Sequence, residues 1–211
     1  MRLCKQQLQV PNLFDVKGRV ALVTGGGSGL GEMMATSLVQ NGAKVIIASR
    51  KEKQLKEVGA RPTDRFHSVS GAQIILPVAE RLTKEGPGSC EYLIADLTSK
   101  KGCDQLAEEI KKKTSVLHIL VNNAGRTWGA PYDNFPEAGW RSVFATNVEA
   151  IFYLTAALTP LLQKEATPIM PGRVVNISSV AGFEAKVEGS GLSAPGMGLW
   201  SYNTSKAAAN A

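Results

Sequence analysis

Apolar runs of strand length alternate with amphipathic stretches along most of this 211-residue chain. The run Val20-Ala21-Leu22-Val23-Thr24 passes straight into Gly25-Gly26-Gly27-Ser28-Gly29-Leu30-Gly31, and residues 29–41 then read as a helix closed by Asn41-Gly42. A second β-branched run at 43–48 ends in Ser49-Arg50-Lys51, and helical spacing begins again near residue 52. Further strands are predicted at 90–95, 116–121 and 173–178, with helices over about 100–113, over 147–164 and from Tyr202 onward. Continuous Val, Ile and Leu runs mark strands buried on both faces, and their alternation with helices predicts an α/β, doubly wound parallel sheet. Residues 1–211 are read as one domain of that kind.

Three stretches depart from the alternation. Residues 1–18 form a polar lead-in whose Phe14 and Val16 are expected to pack on the sheet edge. Residues 59–78 break the helical spacing, which resumes at Ala79; removing them would leave one amphipathic helix, so they read as an insertion. It would be either a surface lobe or foreign sequence such as a retained intron, and His67 within it carries no catalytic weight. Residues 183–200 are rich in Gly, Ser and Pro and read as a mobile flap over a substrate.

Strand, glycine turn and helix bring a backbone up against a phosphate, because the helix N-terminus offers unpaired N–H groups and a partial positive charge. The spacing is Gly25-x3-Gly29-x-Gly31, not G-x-G-x-x-G. Nor is it a P-loop: Glu32 stands where the phosphate-binding lysine would be. Ligands in such sheets sit beyond the carboxyl ends of the strands. The segments Thr24 to Gly31, Ser49-Arg50, Asp96-Leu97, Asn122-Asn123-Ala124-Gly125 and Ser178-Ser179 all fall at those ends, which argues for one site.

The net charge of +6 raises the question of nucleic acid, yet the basic residues are scattered. The dense run Lys111-Lys112-Lys113 closes a helix, where cations suit the dipole, and has no aromatic interleaving. No nucleic-acid partner is expected. The longest apolar segment, 150–162, is too short for a bilayer and contains Pro160, so no membrane partner is expected. Cys4, Cys90 and Cys103 form neither a C-x-x-C pair nor a zinc spacing. Reduced thiols, a cytoplasmic location and no metal follow as expectations. His118, in an apolar strand, reads as a satisfied core residue.

Taken in order, these segments resemble the short-chain dehydrogenase/reductase family. Thr24-Gly25-x3-Gly29-x-Gly31 is similar to its cofactor turn and Asn122-Asn123-Ala124-Gly125 to its strand-four signature. Asn147 in Thr146-Asn147-Val148 matches its helix-borne asparagine. Asn176-Ile177-Ser178-Ser179-x2-Gly182 matches the serine segment, and Tyr202-Asn203-Thr204-Ser205-Lys206 the Tyr-x3-Lys motif. Asn123 to Gly129 and Trp140 look most like 3-oxoacyl-carrier-protein reductases of the rhamnolipid-pathway type.

The resemblance implies a Rossmann-type fold and carbonyl reduction, or its reverse, by hydride transfer from a nicotinamide. It makes Tyr202 the acid/base and Lys206 the cation that lowers its pKa and holds the nicotinamide ribose. Ser179 (with Ser178 as fallback) polarises the substrate, and Asn147 holds a water in a relay to Lys206. The cofactor would be held by Thr24, Gly25, Ser28, Gly29, Leu30 and Gly31, by Asp96 and Leu97 beside the adenine, by Asn123, Ala124 and Gly125, and by Tyr202 and Lys206. An NAD enzyme usually carries an acid at the end of strand two. Here Ser49 stands there with Arg50 after it, and a guanidinium can bind a 2′-phosphate bidentately, which predicts NADP(H).

The substrate is a small carbonyl or alcohol, or a carrier-bound acyl chain, and Trp128 and Trp140 suggest an apolar pocket. The resemblance also implies a homo-oligomer at full length. It further implies a continuation past Ala211 through the rest of the tyrosine helix, two more strands and a substrate-covering segment. A catalytically inactive NADP(H)-binding or scaffold protein of the same fold is the alternative; a serine hydrolase would need a G-x-S-x-G that the chain lacks.

Overall fold

The computed structural model describes residues 10–50, 71–189 and 193–211. The helix expected near residue 52, His67 and Cys4 lie outside them. A short helix α1 (Val10–Leu13) leads into β1 (Val20–Thr24), α2 (Gly29–Gln40), β2 (Lys44–Ser49), α3 (Gly71–Glu85), β3 (Ser89–Ile94), α4 (Lys100–Lys113) and β4 (Ile119–Asn122). Then come α5 (Glu137–Phe144), a π-helical turn (Ala145–Glu149), α6 (Ala150–Gln163), β5 (Arg173–Asn176) and α7 (Trp200–Ala209). The five strands are all parallel in the order β3-β2-β1-β4-β5. The chain therefore reverses direction across the sheet between β1 and β4, and a crevice opens at that switch point.

Both faces of the sheet are covered, as the unbroken apolar runs require. Leu22, Ile46 and Leu120 pack on one face with Leu106, Ile110, Leu154 and Leu158 of α4 and α6. Ala21, Val23, Val45, Ile47 and Val121 pack on the other with Ala35 and Val39 of α2 and Leu82 of α3. Burying each such large side chain stabilises the fold by about 1.5–3 kcal/mol.

Several expectations change in detail. α3 starts at Gly71, not at Ala79, so the latter part of the expected 59–78 insertion is helical and Pro77 does not end it. Phe14 does not pack on the sheet edge but is 76% exposed, whereas Val16 does pack against the core. β4 begins only at Ile119, because the Leu117 N–H leaves the ladder and donates to the Leu161 carbonyl of α6 (3.1 Å). α5, the π turn and α6 run on as one helix from Glu137, so Asn147 lies inside a helix rather than at its start. This helix, Glu137–Gln163, has the length and composition of a membrane span, unlike the shorter segment considered from sequence. Leu154, Leu158, Leu161 and Leu162 pack it into the core, the use of a buried helix in a globular protein. In the described part of the stretch expected as a flap, Gly198 exchanges backbone hydrogen bonds with Ala130 (2.9 and 3.3 Å) and forms a second antiparallel bridge with Glu188.

His118 is satisfied, as expected. Its Nδ1 accepts the Val20 N–H (2.9 Å), its own N–H donates to the Val20 carbonyl (2.9 Å), and Nε2 lies 3.5 Å from Glu165. Burial, then the Arg19 charge, hold its pKa below the ordinary imidazole value despite Glu165. Only the imidazole unprotonated at Nδ1 can accept from Val20, so protonation breaks the staple between β1 and β4. The unfolded chain, with a histidine pKa near ~6.5, takes up the proton first; this stability is therefore present above that pH and lost as pH falls below it. Thermal unfolding between about pH 8 and pH 5 is expected to show a steeper loss for wild type than for His118→Asn, whose amide oxygen replaces the Nδ1 acceptor. Equal slopes would refute the staple.

Candidate active site

The glycine turn closes over the end of β1. Gly25 and Gly29 have φ of +65° and +55°, conformations in which a side chain would be strained. A Cβ on Gly31 would run into the Gly25 carbonyl, and on Gly25 it would lie 2.9 Å from Asn123 Nδ2 and 3.1 Å from Ala124 Cα. Glycines thus let the turn press against the end of β4. Gly29 faces the other way: nothing lies within 4 Å of its Cβ position.

The first hydrogen bond at the start of α2 runs from Glu32 N–H to Ser28 C=O (3.2 Å), and the Ser28 side chain makes no cap. The Leu30 and Gly31 N–H groups therefore have no intrahelical partner, and an external anion fits that end. Leu30 is 64% exposed beside this opening. The exposed Arg50 follows β2, and Asp96 follows β3 with one carboxylate oxygen accepting the Thr98 N–H (3.1 Å).

Two expected cofactor contacts are structural in their side chains. The Thr24 hydroxyl, 1% exposed, donates to Val121 O and accepts the N–H groups of Asn123 (3.0 Å) and Ala124 (2.9 Å). Leu97 is buried in the core, so only its main chain is available to a ligand. Asn123 Nδ2 donates to the carbonyls of Thr24 (2.9 Å) and Gly25 (3.3 Å), so its side chain too serves the turn.

Two of the four catalytic candidates, Asn147 and Lys206, come together beside Gly125. A Cβ there would lie 3.5 Å from Asn147 Oδ1 and 3.8 Å from Lys206 Nζ. Asn147 is 1% exposed; its amide donates to Arg126 O and Ser205 Oγ (both 3.0 Å), and its oxygen accepts the Arg126 N–H (2.9 Å). Its side chain is thereby committed, so a relay water would have to be held by its main chain. The π turn, in which Ala150 N–H reaches back to Ala145 O, is the kind of bulge that frees a carbonyl near a site.

Lys206 is 5% exposed and donates to Ile177 O at 2.7 Å, and burial lowers its pKa. Its Nζ lies 5.8 Å from the centroid of the Tyr202 ring. The Tyr202 hydroxyl has no hydrogen-bond partner among the described residues, which leaves it available. Ser178 Oγ donates to Lys206 O (3.3 Å), whereas Ser179 Oγ accepts the Ala181 N–H (3.2 Å) and keeps its proton to donate. The geometry thus favours Ser179 over Ser178.

Trp128 packs on α5, where a Cβ on Gly139 would meet its indole at 2.8 Å. Trp140 does not join the cluster: it stacks on Phe144 and lines an open groove with Phe135, Pro136, Glu137 and Arg141. Three supports were not singled out as site residues from the sequence. They are Ser205, which also donates to Tyr202 O (2.7 Å), the Ile177 carbonyl, and the Asn122 amide, which donates to Asn176 (2.9 Å) and Thr155 (3.2 Å).

The short chain dehydrogenase family profile matches residues 19–76 and 69–211. The rhamnolipids biosynthesis 3-oxoacyl-[acyl-carrier-protein] reductase of Pseudomonas aeruginosa is 37% identical over 195 residues, which cover 92% of this chain and 64% of that one. The Pseudomonas aeruginosa RhlG/NADP active-site complex superposes with a TM-score of 0.73 at 36% identity, over 93% of this chain and 64% of that chain. A metagenomic short-chain oxidoreductase in complex with NADP gives 0.69 at 26% identity, over 93% and 73%. The chain thus spans slightly less than two thirds of the first of these relatives.

Proposed function

Because the chain belongs to the short chain dehydrogenase family, we propose that it forms the dinucleotide-binding and catalytic part of an NADP(H)-dependent oxidoreductase. It would reduce a ketone or 3-oxoacyl carbonyl to an alcohol, or run the reverse. The observation that carries the reading is that Asn147 Oδ1 and Lys206 Nζ both lie within 4 Å of the Cβ position of Gly125, with the Tyr202 hydroxyl, unpartnered among the described residues, on the Lys206 helix. NADP(H) is supported by the uncapped start of α2, the open space at Gly29 and the guanidinium of Arg50.

When bound, the nicotinamide supplies or accepts the hydride. Ser179 would donate its free proton to the substrate oxygen and hold the carbonyl beside Tyr202. The Tyr202 hydroxyl would give its proton to that oxygen as negative charge develops. A free tyrosine, with a pKa of roughly 10, is a weak acid near neutrality, and the neighbouring Lys206 ammonium favours the phenolate left behind. Burial that lowers the Lys206 pKa also makes its proton easier to pass on through the Asn147 main chain. Arg50 would take the 2′-phosphate, with Asp96 and the Asn123 main chain toward the adenosine.

Burial raises the Cys90 and Cys103 thiols to about 12 and about 11, so both are unreactive; a single domain in the cytoplasm is part of the same proposal. The carrier-bound acyl substrate is taken from the Pseudomonas relative, and assembly with a second copy from the family resemblance.

The test is binding of NADPH and NADH by wild type and Arg50→Ala, beside turnover of a 3-oxoacyl thioester and a simple ketone. Wild type is expected to prefer NADPH, and Arg50→Ala to lose roughly tenfold or more for NADPH alone. Unchanged discrimination would refute the assignment of Arg50. Binding without turnover of either substrate would favour the inactive binding protein.

A further inference from the structure

Arg126 directly follows Gly125, and nothing in the chemistry so far engages its side chain. Its main chain is fixed on both sides by Asn147, through N–H to Oδ1 (2.9 Å) and C=O from Nδ2 (3.0 Å). The half-buried guanidinium lies within electrostatic range of Arg50 and Asp96. Those two residues follow β2 and β3, on the far side of β1 from β4 in the sheet order. Ala124, two residues before Arg126, packs against Gly25, so Arg126 and Arg50 flank the glycine turn from the β4 side and the β2 side.

Two arginines thus flank the glycine turn, near enough for their charges to interact. Among the described residues, neither Arg50 nor Arg126 has a carboxylate within ion-pair distance. Asp96 is close enough to be felt, but one of its oxygens is taken by Thr98 N–H. Burial first, and then the Arg50 charge, press the Arg126 pKa downward. The start of α2, with free N–H groups and a positive dipole end, faces the same space. An arrangement of like charges this close is stabilised when an anion enters between them.

We propose that Arg126 is a second phosphate-binding guanidinium of the dinucleotide site, reaching across the glycine turn to act with Arg50 on the phosphates of the bound cofactor. This rests on the reading of the crevice as a dinucleotide site. The phosphate it meets is either the 2′-phosphate or the diphosphate, and the two are told apart by comparing NADPH with NADH.

Dissociation constants for both cofactors would be measured at several salt concentrations with wild type, Arg126→Ala and Arg126→Lys. Since among the described residues only the main chain of Arg126 is hydrogen-bonded, Arg126→Ala is expected to keep the wild-type thermal midpoint. It should weaken NADPH binding roughly 10- to 100-fold and flatten the salt dependence, with Arg126→Lys in between. Equal losses for NADPH and NADH support contact with the diphosphate; a loss confined to NADPH supports contact with the 2′-phosphate. Unchanged or tighter binding of both by Arg126→Ala overturns the proposal and leaves the dinucleotide reading intact. If wild type binds neither cofactor, that reading falls and the proposal with it.

Discussion

Replacing Tyr202 with Phe is expected to lower kcat for carbonyl reduction by roughly 10²–10⁴ while NADPH affinity stays close to that of wild type. The change removes one hydroxyl and keeps the ring, so the packing of α7 and the Lys206 amine 5.8 Å from the ring centroid are preserved. What is lost is the proton donor, which no other described side chain supplies. Ser179 would only share its hydroxyl proton with the substrate oxygen in a hydrogen bond, and Lys206 Nζ is turned to the Ile177 carbonyl. Single-turnover rates at saturating NADPH would measure the effect on chemistry apart from binding. A variant retaining more than about a tenth of the wild-type rate would show that Tyr202 is not the acid.

The second large effect is expected at Gly31. Alanine there places a Cβ against the Gly25 carbonyl oxygen and 2.5 Å from Asn123 Nδ2. The obstacle is backbone, not the end of a flexible side chain, and Gly25 has no room to retreat because its own Cβ position is 2.9 Å from the same amide. Relief would require breaking the Asn123 bonds to Thr24 O and Gly25 O, which tie β4 to the turn. Gly31→Ala should destabilise the fold by about 3 kcal/mol, the upper end of overpacking costs, and abolish NADPH binding. Gly29→Ala is the control: its Cβ meets nothing within 4 Å, so it should weaken binding through strain at φ +55° while costing the fold less. Thermal denaturation and NADPH titration of the two variants would decide. A Gly31→Ala protein as stable as wild type would refute the close-approach account.

The amino-acid sequence by itself determined the architecture. Val20–Thr24 and Lys44–Ser49 are apolar enough to need cover on both faces, and a parallel sheet between two helical layers provides it. The glycine turn, the Asn-Asn-Ala-Gly strand end and the Tyr-x3-Lys spacing were legible because each is a local constraint of φ, close approach or helical register.

Tertiary structure alone decided how individual side chains are used. Thr24 and Leu97 face inward and serve the fold, since burial depends on what packs from elsewhere in the chain. That the Ser178 hydroxyl is taken up by the Lys206 carbonyl of α7, while the Ser179 hydroxyl accepts from Ala181, is likewise set by packing. Asn147 occupies a π turn within a long helix because one extra residue in a turn hardly alters the apolar spacing that sequence reading depends on. The start of α3 at Gly71 escaped for a related reason: Pro77 reads as a local stop, and a helix can continue past it. Arg126 escaped because a charge after a glycine has no direction until the strand order β3-β2-β1-β4 sets Arg50 and Asp96 across the crevice from it. Local sequence fixes backbone conformation, but the partners of a buried polar group lie tens of residues away along the chain, and only the packed fold brings them within reach.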